Sequence, residues 1–202
     1  MARMSFFERW LVNSPFRAWL QRREVDAFAQ WTGLAPGAAV LDLGCGPGAA
    51  SALIWERMQP NILAAFDFDP AMVKLARRRL QRRGAHTNVR LLVADATHMP
   101  FPDASFDAVF ESGVVHHIPD WQAALREVAR VLGDGGRFWF AEPSRGRLSR
   151  GLYRMLPHAV ESMFDAEEWR TTLADVGLHV EGDLQKQPLW DICGVAAKPK
   201  GG

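Results

Sequence analysis

Short apolar runs alternate with amphipathic stretches between positions 38 and 143, and this alternation restricts the chain more than any other feature. "AAVLDL", "NILAAFDF", "NVRLLVAD", "SFDAVFESG" and "GGRFWFAE" read as strands, and "GAASALIWERM", "PAMVKLARRRLQRR" and "WQAALREVARVL" as helices among them. Asp69 and Pro70 cap and open the second helix, whose apolar face is Met72, Val73, Leu75, Ala76, Arg79 and Leu80 and which Gly84 stops. Asp120 caps the third. Strands joined through helices make βαβ units with right-handed crossovers, so the pattern predicts a doubly wound, mostly parallel α/β sheet with helices on both faces. Asp165 and Glu168 then open "AEEWRTTLADV" as a capping box. "LHVEGDLQ" and "WDICGVAA", joined across Pro188, follow as a hairpin, which brings the sheet to seven strands and ends it with an antiparallel one.

At 202 residues without an internal repeat, the chain is expected to be a single domain. Its parts are an N-terminal helical segment 1–34, a core 38–143, an insertion 144–164, and a C-terminal helix and hairpin 165–198. A formal net charge of +1 argues against nucleic acid as partner. Cys45 and Cys193 have no metal-ligand spacing, so neither a metal nor a disulfide scaffold is expected. No long uncharged apolar stretch occurs, and the expected location is cytoplasmic.

"VLDLGCGPGAAS" places Gly44, Gly46 and Gly48 between the first strand and the first helix, where ligands of such sheets bind. The spacing is G-x-G-x-G and not the G-x-G-x-x-G of dinucleotide sites, and no G-K-[ST] follows to make a P-loop. Asp42, two residues before the first glycine, would repel a pyrophosphate but suits a ligand with an ammonium group. Asp67, ending the second strand, can accept from two vicinal ribose hydroxyls, which fits a nicotinamide dinucleotide equally well. Asp95, after the third strand, offers an acceptor to an exocyclic amine. Each aspartate has an alternative role as a helix cap or turn residue.

These motifs, in this order, resemble the class I S-adenosylmethionine-dependent methyltransferases, and among them the small proteins similar to ubiquinone/menaquinone methyltransferases; the likeness covers residues 38–143. The resemblance implies a Rossmann-like fold and S-adenosyl-L-methionine as cofactor. It implies that Asp42, Gly44, Cys45, Gly46 and Gly48 meet the methionine part and that Asp67 holds the ribose. Phe68 and Met72 match positions that pack on adenine, and Asp95 and Ala96 those that reach its amino edge. "MPFPDASFDAVF" and "HHIPDWQAALREVARVLGDGG" resemble the segments around the fourth strand and into the fifth. Asp69 stands where many members carry serine, and Gly133-Asp134-Gly135 replaces the commoner Lys-Pro-Gly.

Methyl transfer asks the protein mainly to align an acceptor and exclude water, an effect worth about 7–11 kcal/mol of barrier. Cys45 is read as a space-filler. His116 is the candidate general base and His117 a candidate acceptor contact, the alternative being that the pair caps the turn before Ile118-Pro119. Glu111 touches the cofactor or acceptor, or is solvated. Phe16, Trp19, Leu20, Ala27, Phe28 and Trp31 recur at helical spacing and read as a lid, with Trp19 a substrate contact. Arg145, Arg147, Arg150 and Arg154 beside Leu148, Leu152, Tyr153, Met155 and Leu156 make a basic amphipathic stretch. It would grip an anionic acceptor, lie on a membrane as a peripheral contact, or form a solvated exterior, with Tyr153 a candidate substrate contact. The expected activity is methylation of a small molecule, apolar or quinone-like, by a monomer or homodimer. The competing readings are a non-catalytic S-adenosylmethionine-binding subunit and a nicotinamide-dependent oxidoreductase, for which the only tyrosine, Tyr153, has no lysine nearby.

Overall fold

The computed structural model describes residues 15–34, 36–85, 89–148, 164–185 and 188–201. Seven strands form one sheet in the order β3-β2-β1-β4-β5-β7-β6. β1 is Ala39–Leu43, β2 Ile62–Asp67, β3 Val89–Val93, β4 Phe106–Glu111, β5 Leu132–Glu142, β6 His179–Gln185 and β7 Ile192–Ala197. The pairs β1–β2, β2–β3 and β4–β5 are parallel. β7 runs antiparallel to both β5 and β6, so the single reversed strand sits inside the C-terminal edge of the sheet. This is the doubly wound, mostly parallel arrangement that the alternation predicts.

Contacts divide the chain into two compact units, residues 2–94 and 95–202. In the first, α1 (Pro15–Thr32) packs on α2 (Ala49–Met58), and α2 packs on α3 (Pro70–Arg82). The buried stripe of α1 is Arg17, Leu20, Gln21, Glu24, Val25, Phe28 and Thr32, with an Arg17–Glu24 ion pair of 2.9 Å inside it. The aromatic set expected on one face therefore splits. Leu20 and Phe28 are buried, while Phe16, Trp19 and Trp31 are each 46% exposed. A second correction falls on α3: Met72, Val73, Ala76 and Leu80 are buried but Leu75 is exposed. At about 100° per residue Leu75 stands a quarter-turn from Ala76, off the arc the other four share. Asp69 caps α3 as predicted, its side chain accepting from the Ala71 amide at 2.8 Å.

In the second unit, α4 (Trp121–Val131) is capped by Asp120 and runs into β5 with no loop between them. The predicted fifth strand, starting at Gly135, thus begins three residues earlier. A short helix α5 (Arg145–Leu148) precedes α6 (Ala166–Asp175), whose Asp165–Glu168 capping box is complete. Trp121, Phe140, Phe164 and Trp169 form one aromatic cluster, with ring centroids 4.5–5.9 Å apart. Among the described residues no helix is long and apolar enough to cross a membrane.

Candidate active site

The glycine loop is held by its own backbone and by two carboxylates. The Cys45 amide donates to the Phe66 carbonyl at 2.8 Å and the Gly48 amide to the Cys45 carbonyl at 2.9 Å. Asp67 ties the loop to the end of β2, because its Oδ2 accepts from the Gly46 amide and its Oδ1 from the Asp69 amide, both at 2.9 Å. A carboxylate offers about four lone-pair sites, so Asp67 keeps acceptor capacity for a hydroxyl donor. Burial raises the Asp67 carboxyl above its usual range, against the pull of those amides.

Asp42 lies deeper. It is 2% exposed and its Oδ2 accepts from the Ser51 hydroxyl in the first turn of α2. Burial pushes its carboxyl up to about 7, with Ser51 acting in the opposite direction. Cys45 is buried among Ala65 and Ala76, and its thiol is pushed well above the usual range by burial and by the charges of Asp42 and Asp67. A thiol so disfavoured as thiolate is a poor nucleophile, in keeping with its reading as a space-filler.

Gly46 and Gly48 do different work. Both are left-handed, at φ +51° and +77°. A Cβ on Gly48 would lie 2.8 Å from Ala76 Cα, so this glycine lets α3 approach the loop. A Cβ on Gly46 would meet nothing within 4 Å, so its bare backbone borders open space. Phe68 is 46% exposed just beyond Asp67, whereas Met72 is buried on the core side of α3. Bare backbone open to space beside a strand-end carboxylate fits an adenosyl ligand.

In the second unit, Asp95 Oδ1 accepts from the Thr97 amide and hydroxyl at 2.9 and 2.8 Å, the turn role left open for it, and Ala96 beside it is buried. Glu111 is not solvated. It is fully buried at the end of β4, accepting from the amides of Val114 at 2.8 Å and Ala141 at 3.4 Å. Val115–His117 form a 3-10 turn, with His116 buried, His117 exposed, and their rings 3.9 Å apart. Trp19 stacks on Phe16 and carries Arg23 over its ring at 5.0 Å. Tyr153, with Arg150, Leu152, Arg154, Met155 and Leu156, lies outside the described residues; Arg145 pairs with Glu168 at 2.9 Å.

Sequence reasoning missed Glu142, which ends β5 fully buried. Its Oε1 accepts from the amides of Val114, Val115 and His116 at 3.0, 2.5 and 3.4 Å, and its Oε2 lies 2.5 Å from His116 Nδ1. The signal was available: "FWFAE" closes a buried strand on an acid, as "AAFD" and "DAVFE" do. Ser51 was missed because its partner Asp42 lies nine residues away across the loop.

A methyltransferase-domain family model matches residues 41–140. The demethylmenaquinone methyltransferase of Thermus thermophilus is 32% identical over 169 residues, 72% of this chain and 76% of that one. The ubiquinone/menaquinone biosynthesis C-methyltransferase of Pasteurella multocida is 32% identical over 79% of this chain and 63% of its own length, so this chain spans less than two thirds of that relative. A crystal structure of a SAM-dependent methyltransferase from Aquifex aeolicus superposes with a TM-score of 0.75 over 96% of this chain and 98% of that one, at 20% identity, a likeness of fold. The glycine loop, its carboxylates, the strand order and these relatives agree: the chain belongs to the class I S-adenosylmethionine-dependent methyltransferases.

Proposed function

We propose that the chain transfers a methyl group to a small apolar acceptor with an acidic hydrogen, of the hydroquinone or related ring type. The support that carries this reading is the likeness, over most of both chains, to a demethylmenaquinone methyltransferase. When bound, S-adenosylmethionine supplies an electrophilic methyl on a cationic sulfur that leaves as a neutral thioether. In this reading Gly44 to Gly48 and Asp42 serve the methionine end and Asp67 accepts from the ribose hydroxyls. Phe68 flanks the adenine with Met72 packed beneath it in the core, Asp95 and Ala96 meet its amino edge, and Glu111 acts from within the core. His116 takes the acceptor's proton, and His117 beside it contacts the acceptor. Two buried, unbridged cysteines suit a cytoplasmic enzyme.

The test is incubation with methyl-labelled S-adenosylmethionine and either a demethylated quinol or cell extract, followed by separation into lipid, quinone and polar pools. Label is expected on the quinol ring and in the quinone pool. Label found only in protein or nucleic acid would overturn the small-molecule assignment.

A further inference from the structure

Glu111 and Glu142 end neighbouring parallel strands, are both fully buried, and both accept from the Val114 amide, at 2.8 and 3.0 Å. Two carboxyls in such contact in a dry core do not both ionise, so they share a proton. Its location follows from the donors around them. The Val114 amide is shared between them; beyond it Glu142 is met by the Val115 amide at 2.5 Å, the His116 amide at 3.4 Å and the His116 ring at 2.5 Å, whereas Glu111 is met by the Ala141 amide at 3.4 Å. Donors stabilise the ionised partner, which makes Glu142 the carboxylate and Glu111 the neutral acid. Burial raises both carboxyls, Glu142 to about 7 and Glu111, with the neighbouring charge added, well above the ordinary range, so Glu142 is the first of the two to ionise.

We propose that Glu142 is a positioning residue for His116, holding its imidazole with the proton on Nδ1 so that Nε2 carries the lone pair that deprotonates the acceptor. Glu111 donates its proton to Glu142 and keeps a single negative charge at the ring. The inference rests on the reading above, in which the acceptor loses a proton. In the step, the acceptor's O–H or ring C–H proton moves to Nε2, the Nδ1 proton stays, and the bonding pair remains on the acceptor for the new bond to methyl. The imidazolium is matched by the Glu142 carboxylate, and its extra proton later exchanges with water. Among the described residues, Glu111 on β4 and His117, its ring tilted at 41° to that of His116 with centroids 3.9 Å apart, are further titratable groups beside it.

A purely structural role for Glu142, stapling the 3-10 turn, makes a different forecast for E142Q. A glutamine oxygen can still accept from the amides of 114–116, but its amide nitrogen would face Nδ1 and force that atom to accept, moving the ring proton to Nε2. The experiment uses the full chain labelled with 15N-histidine, with His116 assigned through H116Q and its neutral tautomer read from long-range proton–nitrogen correlations without cofactor or acceptor. Wild type is expected to carry its proton on Nδ1. E142Q is expected to carry it on Nε2, with kcat at pH 7 lowered about 10³-fold and KM for S-adenosylmethionine within about threefold. A wild-type ring protonated on Nε2 overturns the proposal, and that spectrum decides even if E142Q does not fold. So does an E142Q protein that keeps the Nδ1 proton or full kcat. Because the spectrum needs no acceptor, a wild type with the Nδ1 tautomer that methylates no quinol faults the acceptor assignment and not this one.

Discussion

Replacing Gly48 and Gly46 one at a time by alanine separates what holds the loop from what the loop holds. At Gly48, an L side chain in a left-handed conformation costs about 1–2 kcal/mol. The new methyl also falls 2.8 Å from Ala76 Cα and Cβ, atoms fixed in the interior of α3. Overpacking of that kind adds about 1–3 kcal/mol. The sum, about 2–5 kcal/mol, corresponds to a Tm lower by about 10 °C in a chain of this length. At Gly46 the backbone strain is similar but no atom opposes the methyl, so the stability loss is about 1–2 kcal/mol and the methyl projects into the open space beside the loop. Thermal denaturation and calorimetric titration with S-adenosylmethionine check both. Gly48→Ala should lose most stability and, where folded, bind the cofactor within about threefold of wild type; Gly46→Ala should lose little stability and at least about tenfold in affinity, or about 1.4 kcal/mol. The reasoning fails if Gly48→Ala melts with wild type or Gly46→Ala binds as tightly.

Asp42 makes stability pH-dependent in an unusual direction. Its carboxyl ionises near 3.8 in the unfolded chain and near 7 when folded, so the folded state holds the proton more tightly and stability falls as pH rises from about 4 to about 7. Asp42→Asn should remove up to about 4 kcal/mol of that decline, seen as a shallower fall of Tm between pH 5 and 8, and parallel wild-type and variant curves would refute it. Asp165→Ala removes the capping box of α6 and should cost about 1 kcal/mol, a Tm drop of about 2–4 °C, while leaving cofactor affinity unchanged in titration.

Features set by near neighbours were readable from the sequence, and features set by distant partners were not. The caps at Asp69, Asp120 and Asp165 each engage an amide two or three residues on, and all three were legible. The strands were legible too, because βαβ periodicity is local, although β5 began earlier than its glycines suggested. In the sequence Glu111 reads as a candidate site residue or a solvated one, and its burial depends on Ala141 and Glu142, about thirty residues away. The split of the α1 aromatics has the same cause: helical spacing shows which residues share a side, and only the packing on α2 decides which side is covered.

The most direct test of the account titrates the protein with S-adenosylmethionine and with NAD, then repeats the first titration on Asp67→Ala. The loop and its carboxylates predict saturable binding of the sulfonium nucleoside, none of the dinucleotide, and at least a tenfold weakening, about 1.4 kcal/mol, when the strand-end carboxylate that also holds the Gly46 amide is removed. Binding of NAD in preference, or an Asp67→Ala protein with wild-type affinity, would contradict it.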